Sequence, residues 1–197
     1  MLWLLLFASF PADATVEAAR DRLAADVRYD GAYHSLTYPG GDVPADTGVC
    51  TDVVIRALRA AHGYDLQKEV HEDMRANFGA YPANWGLSRP DRNIDHRRVP
   101  NLETFFRRRG WALPVTDDPD SYLPGDIVSW RIGGNLPHIG IITGRGPDGT
   151  VLAVHNIGGG PVEDDILFRA RIVGHFRLPA ESSRSRHIRH TRDTAAR

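Results

Sequence analysis

Apolar positions in this chain recur with a helical period in its first half and a strand period in its second. Val16, Ala19, Leu23 and Val27 fall near one face of a helix over residues 16–27. Val53, Val54, Ala57, Leu58 and Ala61 do the same from Cys50 to residue 62, and Gly63 supplies the stop. Leu66, Val70, Met74 and Phe78 recur every fourth residue and predict a helix over 66–78. Asn101 can cap a short helix carrying Phe105 and Phe106 that ends at Gly110. Four apolar runs of strand length then follow, over 126–132, 138–143, 150–157 and 166–176. Turns separate them at Gly133-Gly134-Asn135, at 144–149 and at Gly158-Gly159-Gly160. Helices first and an antiparallel sheet afterwards predict an α+β domain.

Two stretches break the periodicity. Residues 29–48 are rich in Tyr, Gly, Pro and Asp, with a strong turn signal at Tyr38-Pro39-Gly40-Gly41-Asp42. Residues 79–100 carry Pro82, Trp85, Gly86, Pro90 and the polar run Asn93 to Arg98, and an irregular segment of this length is often functional. The ends differ from the middle. Residues 1–10 read MLWLLLFASF and precede Ala12-Asp13-Ala14, which has the small-x-small form of a signal-peptidase site. That apolar run is too short to span a bilayer but suits a signal-peptide core, although no Lys or Arg precedes it. The expected organisation is a signal peptide over 1–14, one domain over 15–179 and a disordered polar tail over 180–197. The mature protein is then periplasmic or secreted, with no stable membrane span.

Composition adds limits. The length of 197 residues suits one domain, and 42% hydrophobic with 25% charged residues is ordinary for a globular chain. A net charge of −1 gives no field that would draw nucleic acid or anionic lipid. Lys68 is the only lysine, a bias that reads as base composition of the coding sequence and not as phosphate recognition. Cys50 is the only cysteine, so no intramolecular disulfide exists, and a free thiol in an oxidising compartment needs a reason.

The neighbourhood of Cys50 supplies one. A thiol becomes nucleophilic when a helix N-terminus or an imidazole favours its thiolate. The loop Asp46-Thr47-Gly48-Val49 delivers Cys50 to the first turn of the expected helix, where free N–H groups can also hold an oxyanion. The base must come from elsewhere. His138 starts a short β-run beside Gly140 and can lie over that helix terminus. A third, orienting group is expected on the next strand at His155 or Asn156, and strand alternation lets only one of them face His138. Taken singly, each of these residues also has an ordinary structural reading.

Together the motifs resemble a known family. Cys50 at a helix start, Pro124-Gly125-Asp126-Ile127-Val128 opening a strand, and His138-Ile139-Gly140-Ile141 are similar to the NlpC-type cell-wall cysteine hydrolases of the papain-like clan. The loop Tyr38-Pro39-Gly40-Gly41 resembles that family's Tyr-containing Gly-Gly loop. Longer motifs resemble a bacterial family of domains of unknown function, the one numbered 1287, over roughly residues 29–178. They are Tyr38 to Asp42, Gly48-Val49-Cys50-Thr51-Asp52, Val70-His71-Glu72-Asp73-Met74 and Asn93 to Asn101.

The resemblance implies a papain-like, NlpC-like fold with Cys50 as nucleophile, His138 as base and Tyr38 near the substrate or oxyanion. It favours His155 over Asn156 as the third residue. It also implies hydrolysis of an amide bond, in peptidoglycan stem peptides, by an exported monomer. Asp52 and Arg97 complete the substrate-binding candidates, because Arg97 or Arg98 could pair with a stem-peptide carboxylate. Two departures stand out: Val49-Cys50-Thr51-Asp52 replaces the family's Asp-Cys-Ser-Gly, and the insert over 66–101 has no counterpart in the minimal domain. No cofactor is expected, and no metal, because His71-Glu72-Asp73-Met74 lacks the second His that a zincin helix requires. Two other functions fit the same residues: a papain-like acyltransferase, and a non-catalytic ligand-binding module in which Cys50 is structural.

Overall fold

The computed structural model describes residues 10–179. Most of the expected signal peptide and the whole expected tail lie outside them.

Helix α1, Ala12–Arg20, tightens into a 3₁₀ turn at Asp21–Ala24. It begins four residues before the periodic positions and ends before Leu23. Its first turn closes through Thr15 N–H to the Pro11 carbonyl, and Thr15 Oγ1 lies 2.7 Å from His62 Nε2. The expected cleavage point after Ala14 falls inside this helix. Strand β1, Arg28–Tyr29, pairs in parallel with β2, Thr47–Gly48, which feeds helix α2, Cys50–His62. The bounds of α2 are those its spacing predicts. Gly63, at φ 63°, takes the left-handed conformation that ends it.

Helix α3, Leu66–Asn77, is capped by Asp65, whose carboxylate accepts from the Gln67 and Lys68 N–H groups at 3.0 and 3.3 Å. Helix α4, Val99–Arg108, starts earlier than expected. Pro100 fits its first turn because the missing N–H would be unsatisfied there. Asn101 is therefore inside the helix instead of capping it, and its Nδ2 donates to the Asp95 carbonyl at 3.1 Å.

The second half forms a six-stranded antiparallel sheet. Its strands are β3 (Ala112–Leu113), β4 (Ile127–Ile132), β5 (Leu136–Arg145), β6 (Val151–Asn156), β7 (Pro161–Asp164) and β8 (Arg171–Phe176), in the order β3-β8-β4-β5-β6-β7. The last expected strand is shorter than its apolar run. Ile166 and Leu167 leave the ladder to cover Trp130, whose indole donates to the Leu167 carbonyl at 3.0 Å. Strand β7, unmarked in the apolar pattern, folds back on β6 through the triple glycine.

Alternation divides the core. Ile127, Ile139, Ile141, Val154 and Phe176 face α2 and α4, together with Val54, Leu58, Leu102 and Phe106. Val128, Trp130, Ile142 and Ala153 face the opposite way, against Tyr122, Ile166 and Leu167. The result is the α+β arrangement of N-terminal helices on a C-terminal antiparallel sheet. Cys50 belongs to the first layer, at the end of α2 that meets β5.

Candidate active site

Val49 is extended and has no side chain able to cap α2, so the helix is capped from inside. Asp52 reaches back to accept the Val49 N–H at 2.7 Å. Pairing of Tyr29 with Gly48 fixes the loop that carries Cys50 into the helix. Cys50 is 5% exposed. Burial raises its pKa to about 11, against the N–H groups of Ile139, Thr51 and Cys50 itself, which favour thiolate. Desolvation outweighs all three, so the resting thiol is protonated. The Ile139 N–H is free to meet the sulfur because the last β5–β6 pair is Gly140 with His155, one residue further on. Cys50 thus sits where the two strands part.

The imidazoles come from the other sheet face. His138 pairs across the ladder with Trp130, their rings 5.9 Å apart, and its Nε2 lies 3.0 Å from His155 Nδ1. His155 Nε2 in turn lies 3.0 Å from Asp164 Oδ1 on β7. Gly140 makes room for this pair. A Cβ there would stand 2.8 Å from the Val154 carbonyl oxygen and 3.0 Å from His155 Cβ. His138 is 2% exposed, and burial, then the neighbouring His155, push its pKa down to about 3. Its ring is the uncharged imidazole at neutral pH. Among the described residues no hydrogen bond joins the thiol to this imidazole. Ile139 links them, its N–H against the sulfur and its chain neighbour being His138.

Alternation separates His155 from Asn156. Asn156 turns to the α2 side, lining a small recess with Val49, Asp52 and Val53. Its Oδ1 accepts from the Gly158 N–H at 3.1 Å, and its Nδ2 has no partner among the described residues. Asn156 therefore has no contact with His138.

The three expected substrate-binding residues are placed otherwise than expected. Tyr38 packs on α3, its ring 5.2 Å from that of His71 and under the Arg92 guanidinium, so its contacts are with the insert. Arg97 is buried and meets Asp52 through Nε and Nη2, each at 3.0 Å. Its remaining donors reach the Asp30 and Ala32 carbonyls at 3.1 and 3.2 Å. The carboxylate expected for Arg97 is thus internal, and neither partner is free for a ligand. Together they lock the irregular segment onto the first turn of α2.

A residue that the sequence reading did not single out pairs with Gly48, just before Cys50. Tyr29 is partly exposed, and its pKa is raised by burial and then by the negative charge that Cys50 and Asp52 can carry. Its only sequence signal is a position in a turn-rich stretch. Asp164 was missed for the same reason as β7. No group of three metal-ligating side chains forms among the described residues. A surface cavity of about 460 Å³, lined by Thr150, Leu167 and Phe168, lies beside the layer opposite α2 and includes no residue of the site.

A buried thiol at a helix start and an antiparallel sheet that carries a His–His–Asp chain belong to one α+β domain. The chain belongs to the family described as "Domain of unknown function (DUF1287)", which matches residues 16–178. It is 56% identical over 165 residues to "Uncharacterized protein YijF" of Escherichia coli (strain K12), covering 83% of this chain and 80% of that one. Among solved structures it is similar to NlpC1 from Trichomonas vaginalis, with a TM-score of 0.45 and 12% identity. That similarity covers 90% of this chain and 48% of the other, so this chain spans about half the length of the solved protein. Among the described residues, no helix is long and apolar enough to cross a membrane.

Proposed function

We propose that this protein is an exported cysteine hydrolase that cleaves an amide bond of peptidoglycan stem peptides through a Cys50 thioester. The observation that carries the reading is the meeting of the α2 terminus with β5: the Cys50 sulfur lies against the N–H of Ile139, the chain neighbour of His138. The resting pair is neutral thiol and neutral imidazole, so attack and proton transfer go together. His138 takes the thiol proton as sulfur bonds to the carbonyl carbon. The oxyanion faces the first-turn N–H groups of α2, with the Tyr29 hydroxyl as a further donor at the open side. Collapse breaks the C–N bond, and His138 returns the proton to the leaving amine. A water molecule, deprotonated by His138, then adds to the thioester carbonyl; the C–S bond breaks, the acid leaves, and His138 returns the proton to the Cys50 sulfur. The substrate class comes from the resemblance to NlpC-type enzymes. The buried Arg97 takes no part in recognising it.

One observation favours a second reading. A cysteine 5% exposed, with its thiol pKa raised to about 11, also suits a ligand-binding module in which Cys50 is a packing residue. Incubation with muropeptides, followed by mass analysis, separates the two. Cleavage products with the wild-type chain and none with Cys50→Ala are expected. Intact muropeptides, together with no acyl-enzyme mass after exposure to activated peptide esters, would refute the hydrolase. Products with a new amide in place of a free acid would identify an acyltransferase.

A further inference from the structure

The polarity of the hydrogen-bond chain leading away from His138 has a consequence for its base function. An ionised carboxylate can only accept, so at the Asp164 Oδ1 contact of 3.0 Å the hydrogen belongs to His155 Nε2. A neutral His155 with that hydrogen has a bare Nδ1. The 3.0 Å contact from His155 Nδ1 to His138 Nε2 then needs its hydrogen on His138. A neutral His138 carrying hydrogen on Nε2 has its lone pair on Nδ1. The whole sequence is fixed at one end by the carboxylate.

We infer that Asp164 is a positioning residue that sets the tautomers of both imidazoles and keeps the His138 lone pair on Nδ1, the atom it leaves to act as base. This rests on the proposed hydrolase chemistry, but the tautomer it specifies exists without any substrate. With the carboxylate removed, His155 can place its hydrogen on Nδ1 instead. That reverses the chain, puts hydrogen on His138 Nδ1 and moves the lone pair to Nε2, where His155 occupies it. The geometry suits such a role. Asp164 ends the edge strand β7, diagonal to His155, whose direct partner is Val162. Its side chain is 42% exposed, whereas both imidazoles are buried, so the anchor can be changed without opening the core.

The test is nitrogen NMR on the full chain labelled with ¹⁵N-histidine, at neutral pH and without substrate. In the wild type, His138 should show a bare Nδ1 and a protonated Nε2. Asp164→Leu should reverse or mix these signals, while the chain's circular dichroism stays native. Asp164→Glu should restore them. In turnover assays, Asp164→Leu should lower kcat about tenfold or more with KM little changed, and Asp164→Glu should recover most of the loss. A wild-type His138 protonated at Nδ1 would overturn the inference, as would an imidazolium at His155 or a His138 tautomer indifferent to Asp164→Leu. Correct tautomers in a chain that cleaves nothing would instead refute the hydrolase reading alone.

Discussion

Replacing Arg97 by Ala should cost stability before it costs anything in substrate binding. The Arg97 and Asp52 side chains are 2% and 3% exposed, and Arg97 also donates to two backbone carbonyls. Its removal leaves a buried carboxylate whose remaining partner is the Val49 N–H, and leaves the Asp30 and Ala32 carbonyls without this donor. Breaking one side of a buried ion pair in this way costs about 3–5 kcal/mol. At about 2–4 °C per kcal/mol for a domain of this size, the melting temperature should fall by roughly 6–20 °C. Urea unfolding of wild type, Arg97→Ala and the double variant Asp52→Leu/Arg97→Met reads the energy directly. The double variant removes both charges and should recover much of the loss. An Arg97→Ala chain within about 0.5 kcal/mol of wild type, but with a raised KM for peptides ending in a carboxylate, would refute the structural assignment. It would return Arg97 to the role of substrate anchor.

Two more outcomes follow from the burial of particular groups. Alkylation of Cys50 by iodoacetamide should be slow at pH 7 and rise about tenfold per pH unit through pH 9, because its pKa stands near 11 and only thiolate reacts. A plateau by pH 7.5 would show an activated thiolate in the resting protein. A chain beginning at Thr15 should be less stable than the full chain by at least about 3 kcal/mol, the usual cost of losing a buried phenylalanine. Phe10 is 4% exposed, packs edge-on against His62, Tyr64 and Trp111, and donates its N–H to the Pro179 carbonyl. Equal urea midpoints for the two chains would refute that contribution and suit maturation after Ala14.

Local chemistry along the chain was enough for several features. The period of Val53, Val54, Ala57 and Leu58 and the glycine after His62 set both ends of α2, because propensity, pattern and cap agree there. With the start of α2 came the position of Cys50, and the period of two on β6 meant that His155 and Asn156 must part. Their partners were beyond its reach. Arg97 reads as a free charge until the fold brings Asp52 beside it from 45 residues away, and burial then makes pairing obligatory. Tyr38 lies nearer to Cys50 in sequence than Tyr29 does, yet the fold turns Tyr38 to α3, while β1–β2 pairing sets Tyr29 beside Gly48 in the loop that delivers Cys50. Asp164 sits on a four-residue edge strand too short and too polar to carry a period, and only its register with β6 shows that it meets His155. The protonation states were the least legible of all. A helix start and a nearby imidazole both argue for a thiolate, but desolvation depends on how completely the surrounding layers close, and that is a property of the packed structure.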